Sequence, residues 1–231
     1  MDIGKAFGFV FEDDQWVTKL LIAAAITLLG TVLFFLIIPP ILAAILLNGY
    51  GLWIVRRVIR GESPVLPDWD DWGQLFIDGL MVAIIELVYA LPIIAASVCL
   101  GTPLGALAEN SDAAASVLGS LLGCTNLLWG IVMSFLLPGA IAFYAKSGDL
   151  GAAFRFGEIF QLIRDNFTTY LITVIMTWVA GFIGALGFLL CGVGWLVTLP
   201  YAEIVTGHLY GQAFVEASGG SPQAVVEGDA A

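Results

Sequence analysis

Charge is what this chain is short of. Only 12% of its 231 residues are Asp, Glu, Lys or Arg, about half of the ~25% share in a soluble domain. That leaves too little polar surface for a water-soluble fold of this length, so lipid must cover much of it. Bases are the scarcer sign: eight Lys and Arg stand against nineteen acids, giving a net charge of −11. Nucleic acid is therefore excluded as a partner, because phosphate binding needs a basic stripe. The acidic, lysine-poor composition is similar to that of proteins from salt-loving organisms, which describes an environment and not an activity. One histidine and three cysteines are present. Without a CxxC pair or a histidine cluster, neither a metal site nor a cofactor is expected. Cys99, Cys124 and Cys191 read as small hydrophobes within helices, and a Cys99–Cys124 disulfide stays open. GxSxG, HExxH and the Walker glycine loop are all missing, so the chain is not expected to be an enzyme and has no catalytic residues to name.

Long apolar runs are what the chain has. A helix crossing the hydrocarbon core needs about 20 of them in a row, and six runs qualify: Val17–Ile38, Ile41–Val58, Gly79–Leu100, Leu118–Phe143, Thr168–Leu190 and Gly192–Phe214. Only Pro39 and Pro40 separate the first two, so the reading places a tight hairpin there. The run from Cys191 to Gly194 does the same between the last two. The acids at Asp2, Glu12, Asp13 and Asp14 are the wrong flank for a cleaved secretory signal. With the N-terminus in the cytoplasm, six spans put Lys5, Lys19, Arg56, Arg57, Arg60, Lys146, Arg155 and Arg164 all on the cytoplasmic side. The long outer loop, residues 101–117, then carries Glu109 and Asp112 and no base. The fold expected is an all-α membrane protein in the plasma membrane, with six transmembrane helices in three hairpins and both termini cytoplasmic.

Self-similarity divides this single domain, residues 1–215, into possible units 1–60, 61–147 and 148–215. Asp2-Ile3-Gly4-Lys5-Ala6-Phe7-Gly8-Phe9 aligns with Asp149-Leu150-Gly151-Ala152-Ala153-Phe154-Arg155-Phe156, and Asp14-Gln15-Trp16 with Asp165-Asn166-Phe167. A looser version precedes the third span at Leu66–Trp72. Each unit reads as a cytoplasmic-side interfacial amphipathic helix followed by a hairpin. In the third, Ala153, Phe154, Ile159, Phe160 and Ile163 face the apolar side and Asp149 caps the start. In the second, Trp69, Trp72 and Phe76 share one helical face and anchor at the membrane interface. Residues 216–231 read as a short, acidic, disordered tail.

The segment Arg56-Arg57-Val58-Ile59-Arg60-Gly61-Glu62, followed by Leu66-Pro67-Asp68-Trp69-Asp70-Asp71-Trp72-Gly73-Gln74-Leu75-Phe76-Ile77-Asp78-Gly79-Leu80, is more specific than hydropathy. With Leu137-Pro138, Tyr144 and Asp149, it resembles an archaeal and bacterial membrane family catalogued as domain of unknown function 4013. The resemblance covers residues 1 to about 215. It implies a multi-span membrane protein and supplies no catalytic residues.

Five polar residues lie at costly depth. Glu86 falls in the third span and Glu203 near the middle of the sixth, where a carboxylate costs several kcal/mol unless paired, hydrated or protonated. Each is either part of a proton, cation or substrate pathway or an interhelical hydrogen bond. Tyr89 lies one turn past Glu86, and Pro92 beyond it reads as a kink. His208 is either a proton relay or a residue meeting headgroups. Asn48 belongs to the same polar interior. Arg56, Arg57 and Arg60 fix topology and touch anionic headgroups, together with the anchors Trp69 and Trp72. Asp68, Asp70 and Asp71 read as acids at a helix start, not as a metal site. Gly119/Gly123, Gly207/Gly211 and Gly181/Gly184/Gly187 read as intrachain helix contacts. The expected function is a non-catalytic membrane scaffold or accessory protein, with lipids and other membrane proteins or itself as partners. The alternative is a small transporter or channel using Glu86 and Glu203.

Overall fold

A computed structural model describes residues 1–63, 65–108, 111–189 and 193–219. Every regular element among them is helical: α1 (Ile3–Gly8), α2 (Trp16–Val32), α3 (Ile38–Arg60), α4 (Trp72–Ala108), α5 (Asp112–Ser147), α6 (Phe156–Asp165), α7 (Phe167–Leu186) and α8 (Trp195–Ala217), with short 3₁₀ turns between several of them. Four helical stretches are long and apolar enough to cross a membrane: Ile38–Arg60, Trp72–Cys99, Ala115–Ser147 and Phe167–Leu189. A bent pair, Ile3–Glu12 with Trp16–Val32, brings the number to five if it is one span.

Helix α8 is not among them, and its position explains why. It packs against α2, α3, α5 and α7, and Val205, Leu209 and Ala213 are fully buried at helical spacing. A helix wrapped by others need not be apolar all round, so Glu203, His208 and Gln212 are tolerated where lipid is excluded. Helix α4 shows the opposite pattern: Leu87, Leu91, Ile94 and Val98 form an exposed apolar stripe, the face a bilayer covers.

Several boundaries differ from expectation. Pro39 and Pro40 do not form the reversal; they occupy the first turn of α3, where a missing N–H costs nothing. The chain reverses just before them, through a 3₁₀ turn at Phe34–Leu36 and Ile37 at φ 64°, a conformation a β-branched residue rarely adopts. The expected loop at 101–117 is mostly helix, because α4 runs to Ala108 and α5 starts at Asp112. At 37 and 36 residues, these two helices are each about 55 Å long. The start of the expected tail is also helical, since α8 continues to Ala217. Of the expected break at Cys191–Gly194, Cys191 and Gly192 lie outside the described residues, as do Glu109 and residues 220–231 of the tail.

One end of the bundle gathers the basic residues. There Arg56 at the end of α3 meets Asp78 at the start of α4 and covers the Tyr144 ring near the end of α5. Asn166, before α7, bonds the Ala217 carbonyl of α8, and the Asp2 backbone is joined to Gln212 by a pair of hydrogen bonds. Asp2 and Asp149 cap the elements they begin, accepting from the N–H groups of Lys5 and Gly151. Ile159 and Ile163 of α6 are buried, whereas Phe160 faces out at 63% exposure.

At the same end, a clamp holds the 65–71 connection. Lys19 is buried and pairs with buried Asp13 at 2.8 Å and with Asp68 at 2.9 Å, while its Nζ also donates to the Leu66 carbonyl. Burial pushes the Asp13 carboxyl up, but hydrogen bonds from Lys19 and the Gln15 N–H outweigh it and hold the group below its ordinary 3.8. A depressed folded value stabilises above the unfolded value and is lost as the pH falls through the folded one. Lys19→Met strands Asp13 without its ion partner and should cost about 3–5 kcal/mol. Thermal unfolding in detergent checks this: the gap between wild type and variant should be full at neutral pH and shrink in acid.

Candidate functional site

The central feature is a cavity of about 320 Å³ bordered by α3, α4, α5, α7 and α8. Polar groups from four helices converge on it: Asn48, Glu86, Thr177, Glu203, Thr206 and Tyr210. Glu86 and Glu203 are 117 positions apart in sequence and face one space. Small residues make the convergence possible. A methyl at Gly207 would come within 2.7 Å of the Gly51 carbonyl oxygen, so α3 and α8 touch backbone to backbone here. A methyl at Gly51 would sit 3.5 Å from Glu203 Oε1.

Asn48 Nδ2 donates to Glu86 Oε2 at 3.0 Å. That bond fixes one carboxylate oxygen and leaves the other for the cavity. Across from it, the Thr177 hydroxyl is buried without a hydrogen-bond partner, an uncommon state for a buried polar atom. Among the described residues no Lys, Arg or His lines the space. Two carboxylates in a low-dielectric cavity need a compensating positive charge, a proton or a cation. At about 30 Å³ per water the cavity has room for on the order of ten, enough for a partly hydrated ion.

The other singled-out residues have different surroundings. Tyr89 does not line this cavity; its hydroxyl donates to the Ala153 carbonyl at 2.8 Å and ties α4 to the turn before α6. His208 is buried, and its ring stacks on Phe9 at 4.2 Å. Trp69 does not share a helical face with Trp72 and Phe76, because α4 begins only at Trp72. It turns inward and stacks on buried Tyr50 at 4.2 Å, and its indole N–H donates to the Lys19 carbonyl. Trp72 faces outward at 46% exposure.

Arg56 is withdrawn from the surface. It makes a two-pronged contact with buried Asp78 at 2.6 and 3.0 Å, and Trp53 Nε1 donates to the same carboxylate at 2.8 Å. Arg57 reaches Glu62 and the Leu66 carbonyl, and Arg60 reaches Glu62. Asp68 serves Lys19, and Asp71 accepts from the Gln74 N–H at the start of α4. Among the described residues no group of three or more His, Cys, Asp or Glu is placed to hold a metal. Gly207, Gly211, Gly184 and Gly187 pack within the chain, whereas Gly119, Gly123 and Gly181 meet nothing within 4 Å. Cys99 and Cys124 are free and exposed.

Sequence reasoning missed Thr177 and Tyr210 at the cavity and the Asp13–Lys19 and Arg56–Asp78 pairs. Lys19 inside an apolar run, and Asp78 beside Gly79 at the start of another, were the available signals, since a charge there demands a partner.

Apolar helices with lipid-facing stripes, around a partly open acidic cavity, define this as an α-helical membrane protein. The chain belongs to the family described as protein of unknown function (DUF4013), whose profile matches residues 32–193. That stretch holds Asn48, Glu86 and Thr177 and stops short of Glu203. No curated protein and no solved structure matches the chain.

Proposed function

We propose that this protein binds a cation or proton at the centre of the bilayer and conducts or transports it. The observation that carries the reading is the shared cavity: Glu86 and Glu203 face one space that holds no basic side chain. Hydroxyl and amide oxygens beside two carboxylates suit a hard cation. In this reading six helices cross the plasma membrane as three hairpins, α2 with α3, α4 with α5 and α7 with α8, and the basic end is cytoplasmic. Asp2 and Asp149 cap equivalent starts, and α3, α5 and α8 each run into a glycine of positive φ, Gly61, Gly148 and Gly219. These equivalences support three parallel repeats about an axis along the membrane normal, a plan used by transporters.

Proton and sodium flux into proteoliposomes tests the function. Flux that disappears in a Glu86→Gln, Glu203→Gln double variant supports it, and flux that survives unchanged rules these carboxylates out. Topology has its own test. In a variant free of the native cysteines, Ser111→Cys should react with a membrane-impermeant maleimide from outside the cell only; reaction from the cytoplasm alone breaks the six-span arrangement.

A second reading, a non-catalytic scaffold or accessory protein, draws on Phe156, Phe160 and Phe167, exposed at 52%, 63% and 54% beside Arg155 and Arg164. Amphipathic segments of that kind lie in the headgroup layer and recruit lipids or neighbours.

A further inference from the structure

A second cavity of about 540 Å³ opens at the basic end, between the N-terminal segment, the ends of α3 and α8 and the connection after α3. Its walls are mixed, with five carboxylates among apolar side chains such as Phe9, Val58, Val65 and Val215. Asp2 and Lys5 come from α1, Glu12 and Asp13 from the 3₁₀ turn after it, Glu62 from the connection and Glu216 from α8. Most of these acids already have partners. Asp13 is held by Lys19, Glu62 by Arg57 and Arg60, Asp2 by the Lys5 N–H, and Glu216 by the Met1 amine and Thr169. His208 also lines this cavity and is different. Only 2% exposed, it has a buried Nδ1 with no hydrogen-bond partner. A buried polar atom left unsatisfied costs about 1–3 kcal/mol, and the stacked Phe9 ring cannot supply the bond.

Helix α8 borders both cavities. It presents Glu203, Thr206 and Gly207 to the central one and His208, Gln212 and Glu216 to the other. Gly207 and His208 are consecutive, so the two spaces border neighbouring faces of one helix. We infer that His208 is the proton-exchanging group between the basic-end cavity, which acts as an inner vestibule, and the Glu86/Glu203 cavity.

The inference rests on the proposed cation or proton site. The neutral imidazole accepts a proton at buried Nδ1 from hydronium that reaches it when the packing there opens. It then releases that proton through water to the Glu203 carboxylate and returns to its neutral form, with no other bond made or broken. Imidazole suits this work because one ring nitrogen can take up and give back a proton while the other keeps its own.

The chain has a single histidine, so its imidazole can be watched alone. Histidine-selective ¹⁵N labelling in lipid nanodiscs should show one imidazole that titrates, with a midpoint that moves by about half a pH unit or more in Glu203→Gln. An imidazole silent from about pH 5 to 8, or one whose midpoint ignores Glu203, overturns the inference. Proton flux should fall at least about tenfold in His208→Gln, while Glu203-dependent sodium binding persists. A fall in flux with sodium binding equally lost overturns the specific role of His208. If the midpoint moves with Glu203 but wild type carries no flux, the transport reading fails and the linkage between the two cavities stands.

Discussion

Glu86→Gln together with Glu203→Gln should lower cation affinity by at least about 100-fold and abolish flux. A hydrogen-bonded or ion contact to a charged group contributes about 1.5–3 kcal/mol, and each 1.4 kcal/mol is tenfold. One carboxylate lost therefore costs roughly tenfold or more, and two multiply if they act on the same ion. Glutamine keeps the volume and can still bond Asn48, which holds Glu86 at 3.0 Å, so the fold should survive. Isothermal titration with sodium and flux from the same preparations separate binding from movement. If either single variant leaves affinity unchanged, that carboxylate does not contact the ion, and the shared-cavity argument fails.

The second large effect is expected at Gly79, where α4 crosses α3. A methyl there would lie 1.8 Å from the Ile45 carbonyl oxygen and 2.9 Å from the Gly49 N, and one at Gly49 would lie 2.2 Å from the Leu75 carbonyl oxygen. Both neighbours are backbone, which cannot rotate aside, so Gly79→Ala must push the helices apart. Overpacking of this kind costs about 1–3 kcal/mol. Asn48 is next to Gly49, and Glu86 follows Gly79 by two helical turns. The same displacement should therefore loosen the Asn48–Glu86 bond and weaken cation binding. Gly119→Ala is the control, since nothing lies within 4 Å of an added methyl. It should be neutral or stabilising by up to about 1 kcal/mol through helix propensity. Equal melting temperatures for the two variants would mean that the α3–α4 crossing is not as tight as its backbone distances indicate.

The scaffold and transporter readings differ over four side chains. Interfacial tryptophans motivated the scaffold, yet Trp69 packs against Tyr50 and seals the Lys19 clamp, leaving Trp72 as the outward one. Glu86 and Glu203 motivated transport, and they line a common cavity. Depth along a helix is legible in sequence because rise per residue is fixed. Azimuth relative to neighbouring helices is not, because it depends on how every helix packs.

The same distinction explains the boundaries. Pro39 and Pro40 were legible as an interruption, but proline is compatible both with breaking a helix and with starting one. Only the path of residues 33–37 decided between them. The stretch at 101–117 is legible as less apolar, and polarity of that kind fits a loop as well as a helix end. Helices can continue beyond the hydrocarbon core, because a backbone bonded to itself is stable in either medium.

By itself the sequence determined the membrane class, the helical periodicity, the gathering of bases at one end and the family. These follow from composition and from local rules of hydration and hydrogen bonding, which act along the chain. Tertiary structure alone decided that α8 lies buried, that Lys19 meets Asp13 and Arg56 meets Asp78, and that two distant glutamates share one cavity. Those facts depend on which glycines let backbones touch and on how the helices are rotated against one another.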